Sequence, residues 1–134
     1  MHTRNTTPQG LLSTLWTFVL FNMIFRDLHE FLNDGFLESL KTLHIAEPTM
    51  LLYGVILELP ILMVILPKLL GDTANRWVNV VVAFIMLLGI LSSLFNADLD
   101  DLFFGMMGSI ALVGIMVIAW KLPTNSNKAA ATDA

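Results

Sequence analysis

Hydrophobic residues fill four long segments of the chain, and polar clusters separate these segments. The segments cover about Leu11–Phe31, Thr49–Leu66, Trp77–Phe95 and Leu102–Trp120. A helix needs about 20 apolar residues to cross a hydrocarbon core about 30 Å thick, and each segment is about this long. Ile85–Leu91 and Ala111–Ala119 are apolar on every side of a helix, unlike a buried helix of a soluble protein. The pattern therefore predicts an all-α fold, a four-helix transmembrane bundle with up-down topology.

A shorter amphipathic pattern lies between the first two segments. Asn33, Asp34 and Gly35 form a turn signal, and apolar residues are then interspersed with polar ones over Phe36–Ile45. This pattern predicts a short helix that lies in the membrane interface. We expect residues 1–123 to form a single membrane domain and residues 124–134 to form a disordered cytoplasmic tail.

Composition supports a membrane protein and excludes several classes of site. The chain is 56% hydrophobic and 13% charged, whereas about 25% of the residues of an average soluble domain are charged. The lipid bilayer is therefore the expected partner, and the net charge of −4 argues against nucleic acid. The absence of cysteine excludes disulfides and thiolate metal sites.

Basic residues predict the orientation of the bundle. With four spans, the termini and the loop between the second and third segments share one side of the membrane. That side carries Arg4, Lys68, Arg76, Lys121 and Lys128, and the other side carries Arg26 and Lys41. Basic residues concentrate on the cytoplasmic side, so we predict a multi-pass protein of the inner (plasma) membrane with both termini cytoplasmic. Trp16, Trp77 and Trp120 fall near the cytoplasmic ends, where we expect them to anchor in the interface.

Glu58 is the most informative single position. It lies in the middle of the second segment, with no other charge between Thr49 and Pro67. An ionisable group at this depth costs a few kcal/mol, so such residues mark paired or functional sites. Pro60 follows two residues later, and because a proline removes one helix hydrogen bond we expect a kink beside Glu58.

Polar residues also occupy the outer half of the first segment. They are Asn22, Arg26, Asp27, His29 and Glu30. Asn22, Arg26 and His29 fall on one face of a helix. At about 1.5 Å per residue, Asn22 and Glu58 lie at similar depths, and the Arg26 side chain can span the turn above them. We therefore predict a buried contact among Asn22, Arg26 and Glu58. Above it, we expect Asp27, His29 and Glu30 to form a polar shaft.

The predicted contact has two interpretations that the sequence leaves open. It is either an ion pair that only holds helices together or a site for ligand binding or proton transfer. We predict no metal site, because His29 and Glu30 are adjacent and point to different faces, and no H-E-x-x-H motif occurs. No serine lies in the context of a nucleophile, so catalytic residues stay unknown and no cofactor is predicted.

Two short motifs carry a family resemblance. They are Glu58-Leu59-Pro60-Ile61 and Ala74-Asn75-Arg76-Trp77, the second followed by Asn79. Together they resemble a family of small bacterial four-helix integral membrane proteins of unknown function, over about Leu11–Lys121. The resemblance implies the four-helix fold and no activity. It places Asn75, Arg76, Trp77 and Asn79 in a motif at the inner interface.

Three functions follow as hypotheses. The first is a small transporter or proton-coupled binding protein with a buried site at Glu58 and Arg26. Four short helices seldom enclose a pathway, so this function needs a homo-oligomer, with the glycines of the fourth segment as contact face. The second is an accessory or structural subunit that packs on another membrane protein. The third is a membrane enzyme that acts on a quinone or lipid through Glu58 or His29, which predicts an aromatic pocket there.

Overall fold

A computed structural model describes residues 7–123, apart from the side chain of Asn96, and every regular element in this part of the chain is helical. The helices are α1 (Pro8–Glu30), α2 (Phe36–Thr42), α3 (Glu47–Leu69), α4 (Asp72–Ser93) and α5 (Leu99–Trp120), with a short 3-10 turn at Leu94–Asn96. The predicted all-α fold and the short helix between the first two long helices are confirmed. The predicted tail at 124–134 lies outside the described residues.

Four of these helices are long and apolar enough to cross a membrane. They have 22 or 23 residues, and no more than 33% of the apolar window of each is buried inside the chain. Large apolar side chains such as Leu51, Phe84 and Ile110 instead point outward, with exposed fractions of 71%, 52% and 68%. Outward apolar side chains are what a lipid environment favours.

Local capping explains why α1 begins three residues earlier than predicted. Pro8 occupies the first helical turn, where its missing N–H is not needed. The backbone N–H of Gly10 donates to Oγ1 of Thr7 at 3.1 Å, which caps the helix. Helix α4 begins at Asp72 directly after Gly71, and no side chain caps its first turn. Helix α3 continues through Pro60 and Pro67, and the kink at Pro60 stays a prediction.

The long helices form a bundle with one weak side. Helix α1 packs against both α3 and α5, and α4 packs against α5, whereas the consecutive helices α3 and α4 make few contacts with each other. We call the half that contains the start of α1 the proximal half and the opposite half the distal half. Gln9 and Asp72, the starts of α1 and α4, are joined in the proximal half by a 3.0 Å hydrogen bond.

The hydrophobic core lies mainly in the proximal half. Leu12, Trp16 and Val19 of α1 pack there with Met63 of α3 and Ile115 of α5, and all of these are at most 1% exposed. By contrast, every residue of α3 from Glu47 to Glu58 is exposed. The bundle is therefore packed at its proximal end and loosely associated at its distal end.

Two glycines of α5 serve packing inside the chain rather than a contact with another subunit. A Cβ at Gly105 would lie 2.7 Å from Cδ2 of Leu94. A Cβ at Gly108 would lie 3.2 Å from Nδ2 of Asn22. Because both positions are buried, the expected oligomer face on α5 is wrong for these two residues.

A buried hydrogen-bond network joins α1, α3 and α4 in the proximal half. Nε1 of Trp16 donates to Oδ1 of Asn79 at 2.7 Å, and Nδ2 of Asn79 donates to Oδ1 of Asn75 at 2.6 Å. Nδ2 of Asn75 then donates to the carbonyl of Pro67 at 2.8 Å. That carbonyl lies in the last turn of α3, where carbonyls lack partners within the helix. Trp16 is fully buried, so its predicted place in the membrane interface is wrong.

We expect Asn79→Leu to destabilise the fold strongly. The leucine leaves the indole N–H of Trp16 and Oδ1 of Asn75 buried without partners, which costs roughly 1–3 kcal/mol for each group. Thermal unfolding in detergent micelles measures the loss. Ser92→Ala is the control, because the exposed Ser92 hydroxyl donates only to Gly89 of its own helix. Equal melting temperatures for the two variants would contradict a stabilising role for the network.

Candidate functional site

An ion pair at the distal end joins α1 to α5. Nε of Arg26 lies 2.7 Å from Oδ1 of Asp101, and the two side chains are 29% and 16% exposed. Arg26 lies four residues before the end of α1, and Asp101 lies two residues after the start of α5. The antiparallel packing of the two helices brings these positions to one level. Pairing removes much of the cost of holding each charge away from water.

Two more contacts extend this polar cluster along the same helix pair. Nε2 of His29 lies 3.3 Å from Oδ2 of Asp100, and the His29 ring lies 6.2 Å from the ring of Phe104. Nδ2 of Asn22 donates to the carbonyl of Phe104 at 2.9 Å. Asn22, Arg26 and His29 therefore share one face, as predicted, but this face contacts α5 rather than α3.

Glu58 does not take part in this cluster, and the predicted contact with Asn22 and Arg26 is wrong. Its side chain is exposed, and no described residue forms a hydrogen bond or ion pair with it. The buried residues of α3 are Pro60, Met63 and Pro67. At about 100° per residue, all three lie roughly 140–200° around the helix from Glu58. Glu58 therefore points away from the bundle.

Depth gives a second reason for the error. Glu58 lies 11 residues into α3, whereas Arg26 lies four residues from the end of α1. At 1.5 Å per residue, these positions are roughly 16 Å and 6 Å from the distal ends of their helices. Asp101 is much closer to the level of Arg26. An aspartate at the start of an apolar helix was the signal that could have identified this partner from sequence.

The other predicted site residues lie at the distal rim without forming a common site. Asp27 is exposed on α1, and Oε2 of Glu30 accepts a hydrogen bond from Nδ2 of Asn33 at 3.4 Å. Within residues 7–123, no three histidine or carboxylate side chains are grouped closely enough to hold a metal ion. The predicted polar shaft between α1 and α3 is therefore not formed by these residues.

The motif of Asn75, Arg76, Trp77 and Asn79, which lies in the proximal half, has a buried part and a more exposed part. Asn75 and Asn79 are fully buried in the network described above. The guanidinium carbon of Arg76 lies 3.9 Å from the centre of the Trp120 ring, a cation–π distance. Trp77 packs edge-on against the same ring at 5.8 Å and is itself 54% exposed. The motif thus links α4 to α5 and to the core, which gives it an architectural role.

The grooves of the distal half include two that lie beside the polar cluster. An aromatic groove of about 710 Å³ runs along α1 beside α5, and its lining includes Phe18, Phe21, Phe25, His29 and Phe104. A cleft of about 340 Å³ lies between α3 and α4, with α1 behind it. Arg26 lines this cleft. The distal half therefore offers an aromatic surface next to a histidine and an apolar cleft next to a cation.

Comparison with known proteins gives a family and no activity. Residues 2–130 match a family described as a family of unknown function, DUF6326. This agrees with the resemblance to a family of unknown function that the two sequence motifs carry. No curated protein and no solved structure matches the chain.

We expect Asp101→Asn to destabilise the distal end by about 1–3 kcal/mol, because it leaves the Arg26 guanidinium without a charged acceptor. The double variant Arg26→Asp with Asp101→Arg should recover part of this loss. Thermal unfolding in detergent measures both. Lys41→Ala is the control, since Lys41 forms only an exposed contact with Glu38 at 3.9 Å. A destabilisation by Asp101→Asn no larger than that of the control would show that the pair contributes nothing.

Proposed function

We propose that this chain, which belongs to that family of unknown function, is a self-associating membrane subunit. Its contact surface is the face of α3 that carries Gly54 and Glu58. The observation that supports this role is the exposure of Glu58 on the side of α3 opposite the core. In a bilayer this side faces lipid, and a carboxyl group there costs a few kcal/mol unless a polar partner covers it.

The described part of the chain, residues 7–123, offers no such partner. Arg26, the partner that the sequence predicts, is held by Asp101 and lies at another depth. Glu58 forms no hydrogen bond with any described residue. A partner from outside the chain at the same depth removes this cost.

Gly54 supports a close approach of another helix. It lies one turn before Glu58 and therefore on the same face of α3. A Cβ at Gly54 would meet nothing within 4 Å, so no packing against residues 7–123 explains a glycine there. Small residues on membrane helices allow backbones to approach closely, and adjacent polar side chains then form hydrogen bonds across the interface.

A second copy of the chain satisfies both features. A two-fold axis along the membrane normal places equal residues of two copies at equal depth. Glu58 of each copy then meets Glu58 of the other, and a protonated carboxyl group donates to an oxygen of its partner. The accessory-subunit hypothesis is the heteromeric form of the same arrangement, with a polar group of another membrane protein in place of the second Glu58.

The transport hypothesis has less support from the geometry. It required Glu58 and Arg26 to share a site inside the bundle, and the two side chains point to different surroundings. The proximal half is filled by residues such as Leu12, Trp16 and Leu112, all fully buried. Any proton-transfer role of Glu58 would therefore act at a subunit contact rather than inside one chain.

We expect Glu58→Leu to weaken self-association by about 0.6–2 kcal/mol, the value of a hydrogen bond between membrane helices. Glu58→Gln should retain it, because a carboxamide keeps a donor and an acceptor. Gly54→Ile should weaken it by holding the helices apart. Energy transfer between labelled copies in lipid vesicles, over a range of protein-to-lipid ratios, measures association.

Gly114→Ile is the matched control, since Gly114 is also a helical glycine with nothing within 4 Å of a Cβ, but on α5. A wild-type chain that is monomeric at all protein-to-lipid ratios would overturn the proposal. So would association that Glu58→Leu and Gly54→Ile leave unchanged. A third result is a different membrane protein that co-purifies with the wild-type chain and is lost from the Glu58→Leu variant. That result would identify this protein, and not a second copy, as the partner of the Glu58 face.

A second candidate function rests on the aromatic groove. Ring-bearing amphiphiles such as quinones stack on aromatic side chains, and Phe18, Phe21 and Phe25 line this groove. Nε2 of His29 lies against Asp100, so the other ring nitrogen, Nδ1, can accept a hydrogen bond from a hydroxyl of the reduced quinone, the quinol. This arrangement supports quinone binding of the kind that the enzyme hypothesis requires.

We expect His29→Ala to weaken binding of a short-chain quinol by about 2- to 10-fold, the value of one neutral hydrogen bond. Calorimetric titration of the protein in lipid nanodiscs measures the affinity. His44→Ala is the matched control, because His44 is a distal histidine outside this groove. Equal quinol affinities of the two variants would exclude His29 from the site.

A further inference from the structure

The cleft between α3 and α4 has an ordered distribution of polar and apolar groups. Its lining comprises Met23 and Arg26 of α1, Ile56 of α3, and Ile85, Met86, Gly89, Ile90 and Ser93 of α4. Arg26 and Ser93 lie nearest the distal ends of their helices. Met86 lies seven residues before Ser93, so the apolar part extends roughly 10 Å further into the bundle. The cleft is therefore polar at its distal end and apolar below.

Arg26 retains hydrogen-bonding capacity at the polar end. A guanidinium has five N–H donors. The bond to Asp101 uses only the N–H of Nε, and the two terminal nitrogens form no hydrogen bond with any described residue. These nitrogens carry four N–H donors in the planar arrangement that suits a phosphate group. The side chain is 29% exposed, so a ligand can reach it.

The surroundings of Arg26 are acidic. Asp27 follows it directly, Glu30 lies one turn later on the same helix, and Asp101 is in contact with it. Three carboxyl groups around one guanidinium disfavour a ligand whose net charge is negative. They favour a ligand that presents a phosphate to Arg26 and a cationic amine to the carboxylates.

We propose that the cleft binds one zwitterionic phospholipid from the leaflet on the distal side. Its phosphate is held by the terminal nitrogens of Arg26, and its amine lies among Asp27 and Glu30. One acyl chain occupies the apolar part, beside Met86 and Ile56. The lipid fills the weak side of the bundle, where α3 and α4 make few contacts.

A second copy of the chain is a less suitable occupant of this cleft. The exposed acid of a neighbouring copy, Glu58, lies roughly 10 Å deeper than Arg26 when both copies span the same bilayer. Glu58 also lies on the face of α3 opposite the buried residues, whereas the cleft is lined by Ile56 about 200° away. The lipid site is therefore independent of the self-association surface, and either can fail without the other.

The test is native mass spectrometry of the detergent-purified full chain, titrated with each of three synthetic lipids of equal acyl length. The lipids are a phosphatidylethanolamine, a phosphatidylglycerol and a diacylglycerol without phosphate. We expect one phosphatidylethanolamine per chain to bind most tightly. Arg26→Gln should weaken its binding about 10-fold or more, as expected for the loss of a charge-assisted hydrogen bond. Lys41→Gln, which removes another basic residue of the distal side, should leave binding unchanged.

A second variant tests the apolar part without altering the ion pair. A Cβ at Gly89 would meet nothing within 4 Å, so Gly89→Leu fills the cleft without a clash at the backbone. It should weaken phosphatidylethanolamine binding, whereas Gly114→Leu on α5 should not. Three results would each overturn the proposal. They are diacylglycerol binding as tightly as phosphatidylethanolamine, phosphatidylglycerol binding more tightly than it, and a Gly89→Leu variant that binds phosphatidylethanolamine as tightly as the wild type. Binding that both glycine variants reduce equally would indicate only unspecific annular lipid and would also overturn it.

Discussion

The rest of the structure depends on the buried hydrogen bonds of Asn79. In a membrane, polar side chains that lack partners are costly, and here each amide atom of Asn79 has one. The partners come from the same helix and from α1, and Asn75 extends the network to the end of α3. Three helices are thereby fixed to one another within the proximal half. Apolar packing alone does not specify such a register between membrane helices, because lipid chains are equally apolar.

Because this network lies in the proximal half, the distal half depends on ion pairs between helices. Arg26 with Asp101 and His29 with Asp100 join α1 to α5 there. In the distal half, no hydrogen bond or ion pair among the described residues joins α3 to α4, and these two helices separate around the cleft. The loose association of α3 with α4 therefore lies where no described hydrogen bond connects them, whereas α1 and α5 stay joined at the same level. The cleft that we propose as a lipid site belongs to this loose side of the bundle.

The helices were predictable from sequence because their length and apolar character are strong signals. Which residues pair across helices was not, because pairing depends on the rotation of each helix about its axis. The position of Glu58 shows this clearly. Depth suggested Asn22 as its neighbour, but the buried faces of Pro60, Met63 and Pro67 turn Glu58 to the outside. The same uncertainty placed Trp16 in the interface, although its N–H donates to a buried asparagine.

The two motifs that carry the family resemblance have different physical roles. In the Ala74–Trp77 motif with Asn79, the side chain of Asn79 donates a hydrogen bond to Asn75, and Asn75 donates one to a carbonyl at the end of α3. Folding alone therefore accounts for both asparagines. In the Glu58–Ile61 motif, burial of Pro60 in the core accounts for the proline but not for the acid. The contacts inside one chain therefore do not explain why an acid occupies position 58. A carboxyl group that is costly to the monomer and unused by its core is best explained by an interaction outside the chain.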